Sequence, residues 1–298
     1  MTTCIFHTDP DGALSAAVVG LAHPDATFIC MNYGWKLPIH RLAKGETVYV
    51  VDFTCTPEEM QTLKDNFNLV WIDHHTISIK QMADLGIHIE QGKREVGKAG
   101  CLLTWEYLFP DKPVPLVIDL VGRYDVGQAF NDADAMSLIS FLRNDKTYLY
   151  PHTGQEYADR WKALVTSDDL TRQCTEKGRP AYEFVKQHNE SSANFLNFET
   201  MFEGHIALAA NVANVDPSIF FASLVKPARH AIVITFYWHR KGYWKFSVRQ
   251  VDGHPTPVDV GELCKKHGGG GHTEAGAFLA YPGKFPLVLD PFLGEASI

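Results

Sequence analysis

The stretch CIFHTDPDGALSAA, residues 4–17, is an apolar run that ends in three side chains able to bind metal. His7, Asp9 and Asp11 occupy alternate positions, and alternate side chains of an extended chain point the same way. Gly12 then opens a small-residue helical pattern. Taken alone, Asp-Pro-Asp-Gly is most often only a turn. The stretch therefore predicts a buried strand, a polar turn and a helix, with metal binding at the turn as the functional alternative.

The same alternation of strand and helix continues through the first 145 residues. The predicted strands are almost continuously apolar, as expected of strands covered on both faces; they are Thr3–His7, Thr27–Met31, Thr47–Asp52 and Leu69–Asp73. The predicted helices are Gly12–Ala22, Pro57–Asn66, Lys98–Leu108, Pro115–Arg123 and Asp132–Leu142. Thr56 is a predicted N-cap. Such alternation predicts an α/β domain with a doubly wound, mostly parallel sheet.

The second half of the chain has a different pattern. Residues 151–196 are polar, amphipathic and helix-prone, with Pro180 predicted to kink or restart the helix. The predicted elements after them are strands His205–Asn211, Phe220–Leu224, His230–His239, Tyr243–Gln250 and Ala275–Ala280, and a helix Pro257–His267. We therefore divide the chain into an α/β domain at 1–150, a helical connector at 151–196 and a smaller α+β domain at 197–298.

The composition is that of a globular protein, with 298 residues, 45% hydrophobic residues and 21% charged residues. No apolar run approaches the ~20 residues that span a bilayer, and no signal peptide is recognisable, so no membrane partner is expected. Six cysteines without a Cys-x-x-Cys pair argue against a thiolate zinc site and suit a reducing cytoplasm. A net charge of −8 argues against coating of long nucleic acids and suits a carboxylate site that metal ions neutralise.

Polar side chains also follow two other predicted strands. VVDF places Asp52 after the third strand, and WIDHH places Asp73, His74 and His75 after the fourth. Because the carboxyl ends of parallel strands meet at one edge of a sheet, these side chains are expected to converge with those of the first stretch. By itself, Asp52 is equally consistent with a helix cap or a loop acceptor.

Several carboxylates at one sheet edge repel one another unless cations compensate their charge. Carboxylate and imidazole ligands without thiolate favour Mn²⁺ or a similar divalent ion. With this many ligands, we expect two ions about 3.5–4 Å apart that share one carboxylate.

HTDPDG, VVDF, IDHH and a later RYD resemble the four ordered motifs of the DHH phosphoesterase superfamily. This superfamily includes RecJ-type single-strand exonucleases, small oligoribonucleases, cyclic-dinucleotide phosphodiesterases and family II inorganic pyrophosphatases. DVGELCKKHGGGGHTEAGAF resembles the glycine-rich motif of the DHH-associated second domain. In pyrophosphatases and several oligoribonucleases the first histidine precedes the first aspartate by four residues. Here the spacing is two residues, which is closer to the RecJ-like branch, where an acidic residue can occupy the histidine position.

The resemblance implies a two-ion centre in the first domain, with Asp52 as the bridging ligand. The implied ligands are His7, Asp9 and Asp52 for one ion, and Asp11, Asp52, His74 and Asp125 for the other. His75 is implied to touch the scissile phosphate, which makes His75 and Asp52 the catalytic candidates. Asp73 is expected to orient a ligating imidazole. On sequence alone, Asp125 at the end of a helical pattern is more often a surface carboxylate.

The second domain offers candidate substrate contacts. The four glycines allow backbone N–H groups to approach a phosphate; they are Gly268, Gly269, Gly270 and Gly271. The resemblance implies that His272 donates a hydrogen bond to the substrate and that Arg249 meets its phosphate or terminus. A flexible linker and a solvated strand residue are the alternatives for the glycines and for Arg249. Lys and Arg outnumber Asp and Glu between Lys226 and His272, which suits a short anionic substrate.

These observations predict a two-domain Mn²⁺-dependent phosphodiesterase that hydrolyses short single-stranded oligonucleotides in a cleft between the domains. Three alternatives remain open. The same centre suits a phosphatase for pyrophosphate or a nucleotide bisphosphate, and it suits a cyclic-dinucleotide hydrolase. From another class, the chain is a catalytically quiet nucleotide-binding module. The oligomeric state is left open, a homodimer included.

Overall fold

The computed structural model describes residues 1–129, 132–149, 155–271 and 273–287. Contacts divide the chain into two compact units, the first being Met1–Tyr182 and the second beginning at Glu183. The division into 1–150, 151–196 and 197–298 stays a prediction. Within the described ranges, no helix combines the length and the hydropathy that crossing a membrane requires.

The first unit is built on a four-stranded sheet in which all strands are parallel. The strands are β1 (Thr2–His7), β2 (Thr27–Met31), β3 (Thr47–Val51) and β4 (Asn68–Ile72), in the order β2-β1-β3-β4. The register pairs Phe6 with Val51, and Val51 with Ile72. The carboxyl ends of β1, β3 and β4 therefore lie side by side, and the residues that follow them share one edge.

Helices cover both faces of this sheet, as the apolar strands predict. In the described residues they are α1 (Pro10–Ala22), α2 (Pro57–Asn66), α3 (Thr76–Asp84), α4 (Gly100–Leu108), α5 (Leu116–Asp125), α6 (Ala133–Asn144), α7 (Lys146–Leu149) and α8 (Gln155–Thr166). Phe6 of β1 faces a core cluster shared with α1 and α4, whereas Ile5 faces one shared with α2. The predicted cap at Thr56 is confirmed, since its hydroxyl accepts a hydrogen bond from the Glu59 amide. The predicted α/β class is confirmed.

A 29-residue helix, α9 (Asp168–Leu196), runs through Pro180 without interruption, so the predicted restart is wrong. The helix continues through Pro180 because the turn just before it packs against α6. A Cβ at Gly178 would lie 1.9 Å from the carbonyl oxygen of Ser137 on α6, so the two backbones are in close contact. Tertiary packing of this kind can hold a helix across a residue that disfavours it.

In its described residues, the second unit contains the end of α9 from Glu183, a mixed six-stranded sheet and two short helices. Its strands are β5 (Asn197–Phe202), β6 (His205–Asn211), β7 (Ile232–His239), β8 (Tyr243–Gln250), β9 (Gly270–Gly271) and β10 (Ala275–Ala280), in the order β5-β6-β7-β8-β10-β9. The helices are α10 (Pro217–Phe220) and α11 (Val260–Lys266). This confirms the α+β class of the second half.

One predicted strand of this unit, Phe220–Leu224, is wrong, because α10 ends there and the chain turns. The Asp216 carboxylate accepts a hydrogen bond from the Ser218 amide 2.9 Å away, and Pro217 occupies the first helical position. This N-cap and proline start a helix instead of a strand.

Candidate metal centre

The strand ends of the first unit bring together the side chains predicted to bind metal. Ligand atoms lie within 4.8 Å of one another in three overlapping groups: His7, Asp9 and Asp52; Asp11, His74 and Asp125; and Asp52, Asp73, His74 and His75. Asp125 is the last residue of α5. The first two groups, joined through Asp52, contain the six predicted ligands, whose role as ligands stays a prediction.

Asp52 lies at the centre of these groups and is 1% exposed. Its Oδ1 is 3.1 Å from His74 Nε2, whereas its Oδ2 is buried and has no hydrogen-bond partner among the described residues. Burial raises the pKa of Asp52 well above its ordinary value, and the carboxylates of Asp11, Asp9 and Asp125 raise it further. A buried carboxylate oxygen without a donor, next to other carboxylates, is the environment that a divalent cation fits.

The backbone at Asp52 is also unusual, because its φ is +49°. A positive φ is uncommon outside glycine, and Asp and Asn tolerate it best. Helix α4 begins directly against this residue, since a Cβ on Gly100 would lie 2.5 Å from the Asp52 Cβ. Gly100 was not among the predicted site residues, and the sequence shows it only as a glycine in the first turn of the predicted helix Lys98–Leu108.

Asp11 is held by the N-terminus of α4. Its Oδ2 accepts a hydrogen bond from the Gly100 amide at 2.8 Å, and its Oδ1 accepts one from the Cys101 amide at 2.7 Å. Its Oδ2 also lies 3.7 Å from His74 Nε2. Helix N-terminal amides stabilise a buried carboxylate, so Asp11 keeps a fixed position beside His74.

Asp9 links the start of α1 to His7 at the end of β1. Its Oδ1 accepts a hydrogen bond from the Gly12 amide at 2.9 Å, and its Oδ2 lies 2.7 Å from His7 Nδ1. Burial lowers the pKa of His7, but the hydrogen bond and charge of Asp9 outweigh it, so that the pKa is raised. The same His7 nitrogen is 4.0 Å from Asp52 Oδ2, which places it between the two carboxylates.

His74 and His75 follow β4 and are held in place by hydrogen bonds to Asp73, which is fully buried. Asp73 Oδ1 accepts hydrogen bonds from the amides of both histidines and from His75 Nδ1, the last at 2.7 Å. Its other oxygen accepts a hydrogen bond from the Thr54 hydroxyl. Burial lowers the pKa of His75, but its hydrogen bond to Asp73 and the charge of Asp73 outweigh it, so that the pKa is raised. The imidazole that Asp73 orients is therefore that of His75, and not that of a predicted ligand.

Arg249, a predicted substrate contact, lies on β8 of the second unit. Its Nε and Nη2 donate hydrogen bonds to Asp216 Oδ2, at 3.1 and 2.7 Å. Asp216 is also the N-cap of α10, so the guanidinium is anchored to the start of that helix. This contact argues against the alternative of an ordinary solvated strand residue.

The glycine run forms part of the second sheet. Gly270 pairs with Ala277, and Gly271 pairs with Gly276, so that this part of the run is a strand and not a flexible linker. A Cβ on Gly269 would lie 2.1 Å from the carbonyl oxygen of Ala277. Close approach to β10 thus explains the need for glycine there. Gly268 follows α11 with a φ of +75°, and the predicted contact His272 lies outside the described residues.

No protein-family profile matches the sequence. No curated protein sequence matches it either. Solved structures do resemble it. A pGpG-specific phosphodiesterase from Vibrio cholerae is 16% identical, with 95% of this chain and 94% of that chain aligned and a TM-score of 0.55.

The DHH domain of a member of a ribosomal-protein family is 14% identical, with 95% of this chain and 83% of that chain aligned and a TM-score of 0.61. RecJ in complex with Mn²⁺ from Thermus thermophilus is 14% identical, with 96% of this chain and 50% of that chain aligned and a TM-score of 0.45. Both similarities with a TM-score above 0.5 extend over nearly the whole chain. The motifs HTDPDG, VVDF and IDHH lie at strand ends, and RYD lies at the end of α5. The chain therefore has the fold of the DHH phosphoesterase superfamily.

Proposed function

We propose that the protein is a metal-dependent phosphodiesterase that hydrolyses short single-stranded oligonucleotides. The observation that carries the proposal is the buried Asp52 Oδ2, which has no hydrogen-bond partner in the described part of the chain. Carboxylates of Asp9, Asp11 and Asp125 raise the pKa of Asp52, in addition to burial, so the cluster holds more negative charge than its own side chains compensate. Divalent cations remove this imbalance, and carboxylate and imidazole donors suit Mn²⁺.

Two ions fit the distribution of donors. His7, Asp9 and Asp52 would hold one ion, and Asp11, Asp52, His74 and Asp125 would hold the other. When bound, such a pair of ions lowers the pKa of water and neutralises charge on phosphoryl oxygens.

His75 is the proposed contact to the substrate phosphate. Its Nδ1 is engaged by Asp73, which leaves Nε2 to donate a hydrogen bond to a phosphoryl oxygen. The hydrogen bond to Asp73 keeps the imidazole in one orientation. A fixed N–H donor stabilises the charge that develops on the phosphoryl group.

The second unit would supply further contacts to the anionic substrate. Arg249, oriented by Asp216, presents a guanidinium suited to phosphate, and Gly268–Gly271 together with His272 are the remaining proposed contacts. All six cysteines are buried and free, which suits the cytoplasmic location that we propose.

The test is an assay of the purified protein with Mn²⁺ against a panel of phosphate esters. The panel contains RNA and DNA of two to five nucleotides, a longer single strand, cyclic dinucleotides, nucleotide bisphosphates and pyrophosphate. It also contains pGpG, because the structurally similar Vibrio protein is specific for it. We expect turnover of the short linear substrates to exceed that of the others.

Two substitutions in α5 distinguish loss of a metal ligand from the general effect of losing a carboxylate on this helix. Asp125→Asn should lower both turnover and bound Mn²⁺, by at least about 100-fold in turnover, because supporting residues alone account for about 10–100-fold. The matched control is Asp119→Asn on the same helix, which is 49% exposed and pairs with Arg123. Full turnover in Asp125→Asn would contradict the assignment. Mn²⁺ binding without turnover of any substrate would favour the nucleotide-binding module instead.

A further inference from the structure

A groove of about 260 Å³ opens beside the candidate metal centre, within the first unit. Aromatic rings and neutral polar side chains line it, among them Tyr33, Trp35, Phe53, Ser78 and Gln81. The volume lies below the roughly 300–1,000 Å³ of pockets for drug-sized ligands, so the groove has room for about one ring system.

The groove and the metal centre share a wall, which is the ring of Tyr33. The centroid of this ring is 5.4 Å from that of His7 and 6.2 Å from that of His75. The Tyr33 centroid is also 5.1 Å from that of Phe53, a buried ring that lines the groove and whose own centroid is 6.1 Å from that of His7. A ligand ring in the groove is therefore one side chain away from the atoms predicted to bind metal and phosphate.

Trp35 lines the groove from a turn whose backbone is fixed. Its amide donates to the carbonyl of Asn32 at 3.0 Å, with Gly34 in the left-handed region at a φ of +82°. Two residues later, the Leu37 amide donates to Glu59 Oε1 at 2.9 Å. The turn nevertheless leaves 55% of Trp35 and 50% of Tyr33 exposed to solvent. Two exposed aromatic side chains on an anchored turn are typical of a contact surface for another ring.

The charge of the groove suits a base and not a phosphate. None of the described residues that line it is basic. Its one acidic residue, Glu59, already accepts hydrogen bonds from the amides of Leu37 and Thr56. The Gln81 amide offers a donor and an acceptor at the rim, which is the pair of groups that reads the edge of a nucleobase.

We propose that this groove binds a nucleobase of the substrate by stacking on Trp35 and Tyr33, while the adjoining phosphate lies at the metal centre. The inference rests on the proposed function and adds its substrate class, a nucleotide recognised through its base. It predicts that the protein discriminates against phosphate esters that lack a base.

The test measures binding of AMP and of ribose 5-phosphate, which lacks the base, to the full chain in Mn²⁺ by isothermal titration calorimetry. Wild-type protein should bind AMP more tightly than ribose 5-phosphate. Trp35→Ala should reduce this preference about tenfold, the size expected for one base–aromatic stack. Trp35→Phe should retain most of the preference, because it keeps a ring. Tyr107→Ala is the matched control, since Tyr107 is an exposed aromatic residue of the same unit outside the groove.

Dinucleotide hydrolysis is measured on the same proteins, so that the two proposals can fail separately. We expect Trp35→Ala to raise KM for a dinucleotide more than it lowers kcat, because stacking acts on binding. A wild-type preference for AMP that is unchanged in Trp35→Ala overturns the base site, even if hydrolysis is normal. A preference that depends on Trp35, in a protein that hydrolyses no phosphodiester, supports the base site and overturns the proposed function. Equal binding of AMP and ribose 5-phosphate to wild type also overturns the base site.

Discussion

Asp52→Asn should stabilise the metal-free protein and reduce the stabilisation that Mn²⁺ provides. Asn has nearly the shape of Asp and tolerates the positive φ of +49° at this position, so the change adds no backbone strain. The substitution removes only the negative charge of Asp52. Burial and the neighbouring carboxylates disfavour this charge, so its removal stabilises the protein.

The geometry sets the size of the effect. Oxygens of Asp52 and Asp9 lie within 4.8 Å of each other. Two unit charges at that distance repel by about 3 kcal/mol at an effective dielectric constant of about 20. His74 does not offset this, because burial lowers its pKa and favours the neutral imidazole. His7 lies between the two carboxylates and its pKa is raised, so its charge offsets part of the repulsion and the figure is an upper bound. Since about 1 kcal/mol shifts the Tm of a unit of this size by roughly 2–4 °C, the variant should gain up to about 6–12 °C in EDTA.

Differential scanning calorimetry in EDTA and in excess Mn²⁺ checks this prediction. Wild type should gain about 2.7 kcal/mol for each bound ion when free Mn²⁺ is about 100 times its Kd, and the variant should gain much less. Asp119→Asn is the control for loss of an exposed carboxylate, and it should respond to Mn²⁺ like wild type. A variant that is less stable than wild type in EDTA and gains equally from Mn²⁺ would refute the reasoning.

Three other predictions concern particular contacts. Gly100→Ala should lower the stability of the first unit by about 1–3 kcal/mol and weaken Mn²⁺ binding, because the added Cβ would press on Asp52. Thermal unfolding and metal titration that give wild-type values would contradict this. Hydrogen bonds from Arg229 lower the pKa of Glu199 to about 2, so this contact stabilises the second unit above the unfolded pKa of about 4.3 and is lost as the pH falls towards 2. Urea unfolding measured at several pH values should therefore show a smaller loss of stability at acid pH in Glu199→Gln than in wild type. An equal loss in both proteins would show that this contact does not cause the acid destabilisation. Pro180→Ala should raise the urea midpoint, by up to about 3 kcal/mol in stability, because the helix continues through this residue; a lower midpoint would show that the proline ring contributes contacts of its own.

The first sheet is predictable from the sequence because its strands are buried on both faces. A continuous apolar run then marks each strand, and the polar residue that follows marks its end, as Asp52 does after Val51. The same signal fails in the second unit. The run from Phe220 to Leu224 begins with two buried phenylalanines, but burial alone does not distinguish a helix from a strand. The strand Asn197–Phe202 follows α9 with no turn residue between them, so its boundary carries no local signal.

The site is predictable to a different extent at each residue. Side chains at or just after the strand ends converge because the sheet is parallel, which applies to His7, Asp52 and His74. Asp125 ends a helix, and only the family resemblance distinguishes it from a surface carboxylate. The amides that hold Asp11 come from α4, about 90 residues away, and this long-range contact has no counterpart in local sequence patterns.

The hydrogen bonds from backbone amides to the carboxylates would restrict, by size, which ion the candidate centre could hold. One oxygen of Asp9 accepts a hydrogen bond from the Gly12 amide, and both oxygens of Asp11 accept hydrogen bonds from amides of α4. Ca²⁺ takes about six to eight oxygens and often needs a carboxylate to turn and supply both of its own, whereas smaller divalent ions accept fewer, fixed donors. Carboxylates anchored in this way cannot turn towards a larger ion. The amides that shape the fold would thus also disfavour calcium at this site.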